Sequence, residues 1–260
     1  GGADALGNAG CRGESETYGS GAMKAMIFAA GLGTRLGEMT RTRPKALADI
    51  NGKTMLELTA GKIVNAGFDD LIVNIHHHPD QMLDEIGKLR EMGYRITVSD
   101  ERDELLDTAG GLCRARNFFG SEPFLAHNVD EFTDLDLTGM YRQHVESGAL
   151  ATLAVRHRPG NRQLLVDSSG RLRGWRNNAT KEEIITVESN KKLEEVGFSG
   201  IQVLSPAIFD LMQEGIYSLT SLYLMLAGKH VIMTCLHDYG YWFDCGTPQN
   251  LDKIRAHLLK

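Results

Sequence analysis

The run Ala29-Ala30-Gly31-Leu32-Gly33-Thr34-Arg35-Leu36 is followed, nine positions beyond Arg35, by Pro44-Lys45-Ala46-Leu47. Glycines placed directly after a short apolar run let backbone N–H groups approach a phosphate or a base that side chains would fend off, and they tolerate φ > 0. Arg35 and Lys45 add positive charge that amides alone do not supply. Two like charges 4 Å apart repel by about 4 kcal/mol at an effective dielectric of 20, so bringing an anion up to a polyphosphate calls for several cations nearby. Neither common nucleotide loop fits. A dinucleotide loop wants a third glycine where Leu36 stands, and a P-loop wants Gly-Lys-Ser/Thr, which is absent. Taken alone, a G-x-G with a solvated arginine and lysine is also an ordinary turn.

Two acids extend the set. Phe124-Leu125-Ala126-His127-Asn128-Val129-Asp130 ends an apolar run in a carboxylate, and Trp242-Phe243-Asp244-Cys245-Gly246 repeats the arrangement before a turn. Carboxylates brought together repel, and a divalent cation is the ordinary resolution; Mg²⁺ is typically held by one or two carboxylates plus substrate phosphates. Each aspartate singly serves equally well as a turn or N-cap acid. Glu131 reads as a helper to the pair or, more simply, as a solvated acid. Thr108-Ala109-Gly110-Gly111 has the form of a helix start with Thr108 as N-cap or as a ligand contact, and Gly197-Phe198-Ser199-Gly200-Ile201 is a strand with close-packing glycines. Asn161, Arg162 and Arg176 are further polar candidates. His76-His77-His78 invites a metal reading, but consecutive strand residues point to opposite faces, which favours a loop at a strand exit. Cys245, Trp175 and Trp242 read as core.

The elements that must position these residues alternate. Strands are expected at 27–30, 70–75, 94–98 and 123–127, interleaved with helices at 54–66, 79–92 and 109–119, which makes βαβ units and a mainly parallel sheet with helices on both faces. Ligands then belong at the carboxyl ends of the strands. The second half changes character, with a strand at 150–155, a hairpin of 164–167 and 172–175 around Ser168-Ser169-Gly170, and a polar loop over 177–192. A strand at 198–204, helices at 206–213 and 218–227, a strand at 231–236 and a helix from Pro248 complete the pattern.

Composition agrees with a globular chain. Of 260 residues, 42% are hydrophobic and 24% charged, the net charge is −6, and neither sign forms a long block, which argues against nucleic-acid and anionic-membrane partners. No apolar run reaches the ~20 residues that cross a bilayer. Cys11, Cys113, Cys235 and Cys245 have neither C-x-x-C nor finger spacing, as suits reduced thiols in the cytoplasm. Residues 1–22 lack large apolar side chains and read as a leader with no ordered structure, leaving 23–260 as one expected domain.

The Gly31-Leu32-Gly33-Thr34-Arg35 loop with Pro44-Lys45 resembles the signature of the sugar-1-phosphate nucleotidyltransferases, a G-x-G-T-R loop followed by a P-K dipeptide, and the resemblance covers nearly all of 23–260. It implies a nucleotide-diphospho-sugar transferase-like α/β fold with a mixed, mostly parallel sheet. It implies Arg35 and Lys45 as catalytic cations on the phosphates, and nucleotide contacts from Ala29, Ala30, Gly31, Gly33, Thr34, Thr108, Gly110 and Gly111. Asp130 and Asp244 would hold Mg²⁺, and Asn128, Ser199 and Gly200 would meet the sugar. Val129 departs from a glycine common in the family, and the Glu-Lys-Pro run of larger members is missing. The expected substrates are an NTP and a sugar 1-phosphate, leaning to UTP, with a monomer or homodimer expected. Within the family the chain resembles N-acetylmuramate-1-phosphate uridylyltransferases and short mannose- or heptose-1-phosphate guanylyltransferases. A guanylyltransferase, a cytidylyltransferase acting on an alcohol phosphate such as choline phosphate, and a non-catalytic nucleotide-sugar sensor are the alternatives.

Overall fold

A computed structural model describes residues 22–259 of the chain. The expected leader therefore lies outside the described residues, apart from Ala22. The first half contains β1 (Lys24–Phe28), α1 (Met39–Thr42), the ribbon β2 (Asp49–Ile50) and β3 (Lys53–Thr54), and α2 (Met55–Asn65). It continues with β4 (Asp70–Ile75), α3 (Pro79–Glu91), β5 (Arg95–Asp100), α4 (Asp107–Arg114) and β6 (Phe124–Asn128). After these come β7 (Glu131–Thr133), α5 (Leu137–Ser147), β8 (Ala151–Arg156), β9 (Arg162–Val166), β10 (Leu172–Asn177) and β11 (Glu183–Ile185). The chain closes with β12 (Glu194–Leu204), α6 (Leu219–Leu226), β13 (Ile232–Leu236), β14 (Trp242–Asp244) and α7 (Pro248–His257).

Ten strands form one mixed sheet in the order β11-β10-β9-β12-β6-β1-β4-β5, with β8 pairing β12 and β13. The strands β6, β1, β4 and β5 are parallel neighbours, whereas β12 runs antiparallel to β6, β8 and β9. Strand alternation feeds two cores. Ala25 and Ile27 of β1 pack under α2, α3, α5 and α7, while Met26 and Phe28 face α4 and α6.

Local chemistry fixes the ends. The Thr54 hydroxyl accepts the Glu57 N–H at 3.0 Å and starts α2, with Glu57 at the third helical position as in a capping box. Pro79 opens α3, as its missing N–H permits. Asp136 caps α5 through the Gly139 N–H at 2.9 Å. The β9–β10 hairpin closes on Asp167, whose Oδ1 accepts the N–H groups of Ser169 and Arg171.

Several expectations are corrected. The polar 177–192 stretch contains the edge strand β11, paired with β10. The helix expected at 109–119 is α4, which starts earlier and stops at Arg114, followed by a 3-10 turn over Arg116–Phe118. The 206–213 helix is a 3-10 segment, Pro206–Leu211. Helix α5 and the short ribbon of β7 with β14 add to the expected elements. Cys113, Cys235 and Cys245 are unpaired thiols.

Candidate active site

The glycine loop leaves β1 and is held from beneath. The Asn74 Oδ1 atom at the end of β4 accepts the Ala29 and Ala30 N–H groups at 2.7 and 3.3 Å, and its Nδ2 donates to Glu101 Oε1 at 2.8 Å. Gly33 adopts φ +64°, and a Cβ there would lie 2.8 Å from the Lys45 Cβ and 2.9 Å from Thr40 Cγ2. The absent side chain lets the loop fold against the Pro44–Lys45 turn, which is how Arg35 and Lys45 come to one place.

The acids arrive from two strand ends and are fastened by backbone. In the antiparallel ribbon β7–β14, Asp244 pairs with Glu131, and the Cys245 N–H donates to the Asp130 carbonyl at 2.8 Å. Lys45 Nζ lies 2.5 Å from Asp130 Oδ2. Arg35 donates to both oxygens of Asp244, at 2.9 and 3.3 Å, and its Nη2 is 4.0 Å from Asp130 Oδ2. Four side chains far apart in sequence thus form one cluster.

Burial acts to raise the Asp244 carboxyl, but the Arg35 hydrogen bond, the Gly246 N–H and the two cations outweigh it and hold it below the usual carboxylate range. The same contact raises Arg35 further, against its partial burial. Glu131 behaves oppositely, because burial and then the neighbouring Asp130 and Asp244 push it well above its ordinary value. Asp130 and Asp244 present hard oxygen donors on either side of the exposed Arg35 guanidinium, a donor set that fits Mg²⁺. Among the described residues no cluster of three or more His, Cys, Asp or Glu side chains forms a metal cage of its own.

One hollow opens on this cluster and a second adjoins it. The first, of about 470 Å³, is lined by Ala29, Ala30, Gly31, Thr108, Asn128 and the Arg35–Lys45–Asp130 group. The second, of about 640 Å³, lies between β9, β10, β12 and α6 and shares Asp107 with the first. Thr34 belongs to the 3-10 turn carrying Arg35. The remaining expected contacts divide. Thr108 is not an N-cap: Asp107 at φ +59° accepts its N–H, and its hydroxyl accepts the Leu219 N–H of α6 at 2.9 Å. Gly110 packs under the Gly215 carbonyl and Gly111 under Glu101 and Asn74, so both make room for protein before ligand. Ser199 is fully buried, its hydroxyl paired with His237 Nε2 at 2.9 Å. Gly200, at φ +70°, seats Glu131 and Asn128, since a Cβ there would fall 2.6 Å from the Glu131 Cγ.

Other side chains are also placed. Arg162 lines the second cleft, and Arg176 is tied to Glu183 and Glu195. The Asn161 carbonyl accepts the Asn178 N–H at 2.7 Å. His76, His77 and His78 each use a ring nitrogen on a carbonyl, of Glu101, Thr40 and Arg41, and so fasten neighbouring loops. Cys245 is buried in the core. Trp175 and Trp242, expected in the core, are only half-buried: Trp175 lines the second cleft and Trp242 lies under the guanidinium of Arg158. Sequence reasoning missed Asn74, Glu101 and Arg158, and of its two readings of Glu131, a helper to the acidic pair or a solvated acid, the second fails, because that residue is 8% exposed. Asn74 had a signal, as the one polar residue within the apolar Leu71–Ile75 run of β4.

Residues 24–163 match the family model described as Nucleotidyl transferase. The chain is 31% identical over 243 residues to the N-acetylmuramate alpha-1-phosphate uridylyltransferase of Neisseria meningitidis, covering 90% of this chain and 97% of that protein. It is 30% identical to the mannose-1-phosphate guanyltransferase beta-B of Xenopus laevis, over 88% of this chain and 62% of that one. Solved structures share the fold. HddC from Yersinia pseudotuberculosis complexed with GMP-PN gives a TM-score of 0.70 at 21% identity, over 91% of this chain and 99% of that one. UDP-glucose pyrophosphorylase from Acinetobacter baumanii gives 0.71 at 18%, over 90% and 92%. The chain belongs to the nucleotidyl transferase family. Within it, the named relatives are sugar-1-phosphate nucleotidyltransferases, and this chain is an enzyme of that type.

Proposed function

We propose that this enzyme transfers a uridylyl group from UTP to a sugar 1-phosphate, releasing pyrophosphate. The observation that carries the reading is the convergence of Arg35, Lys45 and Asp130 on the glycine-loop cavity, with Asp244 joined to them through Arg35. In this reading an oxygen of the acceptor phosphate attacks the α-phosphorus in line, a P–O bond forms, and the bond to the β-phosphate oxygen breaks. The attacking oxygen is already anionic, so no protein base is needed, and catalysis is positioning and charge neutralisation. Lys45, held low against Asp130, supplies fixed charge beside the α-phosphate, and Arg35, at 58% side-chain exposure, can leave Asp244 for the departing phosphates. Asp130 and Asp244 would hold Mg²⁺, which when bound lowers the charge on the triphosphate. Asn74 and Glu101 hold the loop against which the nucleotide lies.

The uridylyl preference is supported by the relative of matching length; a guanylyl reading is supported by the mannose-1-phosphate relatives. The test offers each NTP with Mg²⁺ and a panel of phosphorylated sugars and alcohols while pyrophosphate is measured. Release with UTP and a sugar 1-phosphate is expected, chelation abolishes it, and Asp130→Asn and Asp244→Asn each raise the Mg²⁺ needed. Turnover only with CTP and an alcohol phosphate, or silence with tight binding of a nucleotide sugar, would replace this reading.

A further inference from the structure

Lys45 and Arg35 are each matched to an aspartate on the nucleotide side. Arg158 is different: among the described residues it takes part in no ion pair, yet it is firmly held. Its guanidinium carbon sits 4.6 Å from the Trp242 ring centroid, Nη2 donates to the Phe198 carbonyl at 2.9 Å, and the group is laid across Gly197, where a Cβ would come 2.5 Å from Nε. An indole face, a carbonyl and a position without a side chain keep the planar fork in one orientation. Its Nε is buried without a hydrogen-bond partner, and so are Trp242 Nε1 and Glu131 Oε2. Buried polar atoms are nearly always satisfied, so three orphans near one another point to a molecule that completes them. In the β7–β14 register Glu131 stands opposite Asp244, and Trp242 is two residues before Asp244, so the three side chains leave one face of the ribbon. Arg158 also lines the 640 Å³ cleft that shares Asp107 with the nucleotide cavity.

We propose that Arg158 is the anion clamp for the acceptor, its guanidinium binding the phosphate of the incoming sugar 1-phosphate while Glu131 hydrogen-bonds a hydroxyl of the same molecule. The proposal rests on the sugar-1-phosphate reading above. A phosphate entering from the second cleft meets neither Lys45 nor Arg35 there and needs a cation of its own, and a guanidinium fork matches phosphate oxygens in pairs.

Of the chain's two tryptophans, Trp175 lines this cleft and Trp242 lies under Arg158, which lines it, so tryptophan fluorescence reads its occupancy without turnover. Wild type, Arg158→Ala, Arg158→Lys and Glu131→Gln are titrated with inorganic phosphate and with glucose 1-phosphate, and acceptor and NTP KM values are measured in parallel. Arg158→Ala is expected to weaken the phosphate response and raise the acceptor KM by roughly 30-fold, as loss of charge-assisted hydrogen bonds implies, with the NTP KM within about twofold. Arg158→Lys falls between, and Glu131→Gln raises the acceptor KM while keeping the phosphate response. If Arg158→Ala fails to fold, Gly197→Ala, which displaces the guanidinium, must give the same acceptor-selective loss. An acceptor KM close to wild type, an equal rise in both KM values, or a phosphate response indifferent to Arg158 overturns the clamp. A wild-type protein that turns over no sugar phosphate but loses its phosphate response in Arg158→Ala keeps the clamp and refutes the transferase reading.

Discussion

Arg35 and Lys45 carry the same charge but differ in freedom. The Lys45 side chain is 15% exposed and pinned to Asp130, whereas Arg35 is 58% exposed and reaches Asp244 from solvent. A fixed charge contributes most where charge develops in the transition state, and a mobile one contributes to capture. Lys45→Ala should therefore lower kcat by about 10²–10³, the cost of losing one preorganised donor, while Arg35→Ala acts chiefly on the NTP KM; steady-state kinetics on both variants separates the roles. Equal effects on the same parameter would contradict this division. Both residues were legible because their chemistry is written locally, a cation beside a glycine loop and a cation after a proline. Glu131 was not, since a buried acid and a solvated one are the same letter, and only Gly200 and the β7–β14 pairing decide which it is.

Among the elements, the loop after β1 depends on one backbone conformation. Gly33 sits at φ +64° with Lys45 Cβ and Thr40 Cγ2 inside the space a methyl would need. Gly33→Ala should destabilise the fold by roughly 1–2 kcal/mol from the left-handed conformation alone. It should also push Lys45 off Asp130, so that activity falls further than the loss of thermal midpoint explains. Calorimetry with kinetics on the same sample reads both. The βαβ half was legible because hydrophobic period and helix caps agree there: α2 and α3 begin where Thr54 and Pro79 indicate. The ribbon of β7 with β14 was not, because three-residue strands carry no period, and Asp130 and Asp244 meet only through it. Strand β11 was hidden for a related reason: its residues are all exposed, so no apolar alternation marks it.

At the scale of the whole molecule, three buried histidines contribute to a loss of stability in acid. Burial lowers His127, His144 and His237 to about 4, and His144 is held neutral between the hydroxyls of Thr152 and Ser205. In the unfolded chain these rings bind protons near their ordinary value of about 6.5. Between about 6.5 and 4 the unfolded state therefore holds more protons, and stability falls with pH by up to about 1.36 kcal/mol per unit for each ring. Urea unfolding should show a lower free energy at pH 5 than at pH 7.5, with a shallower loss in His144→Gln, and a flat profile would refute the assignment. The described residues contain no helix long and apolar enough to cross a membrane.

The order in which the chain is made gives the ribbon one more consequence. Asp130 is translated well before its neighbour Asp244 and the N–H of Cys245 that ties them, which directly precede helix α7. A ribosome-bound chain can thus complete the parallel strands β1, β4, β5 and β6 while the candidate site is still missing a wall. The ribbon therefore closes late, when β14 emerges and zips onto a partner translated long before.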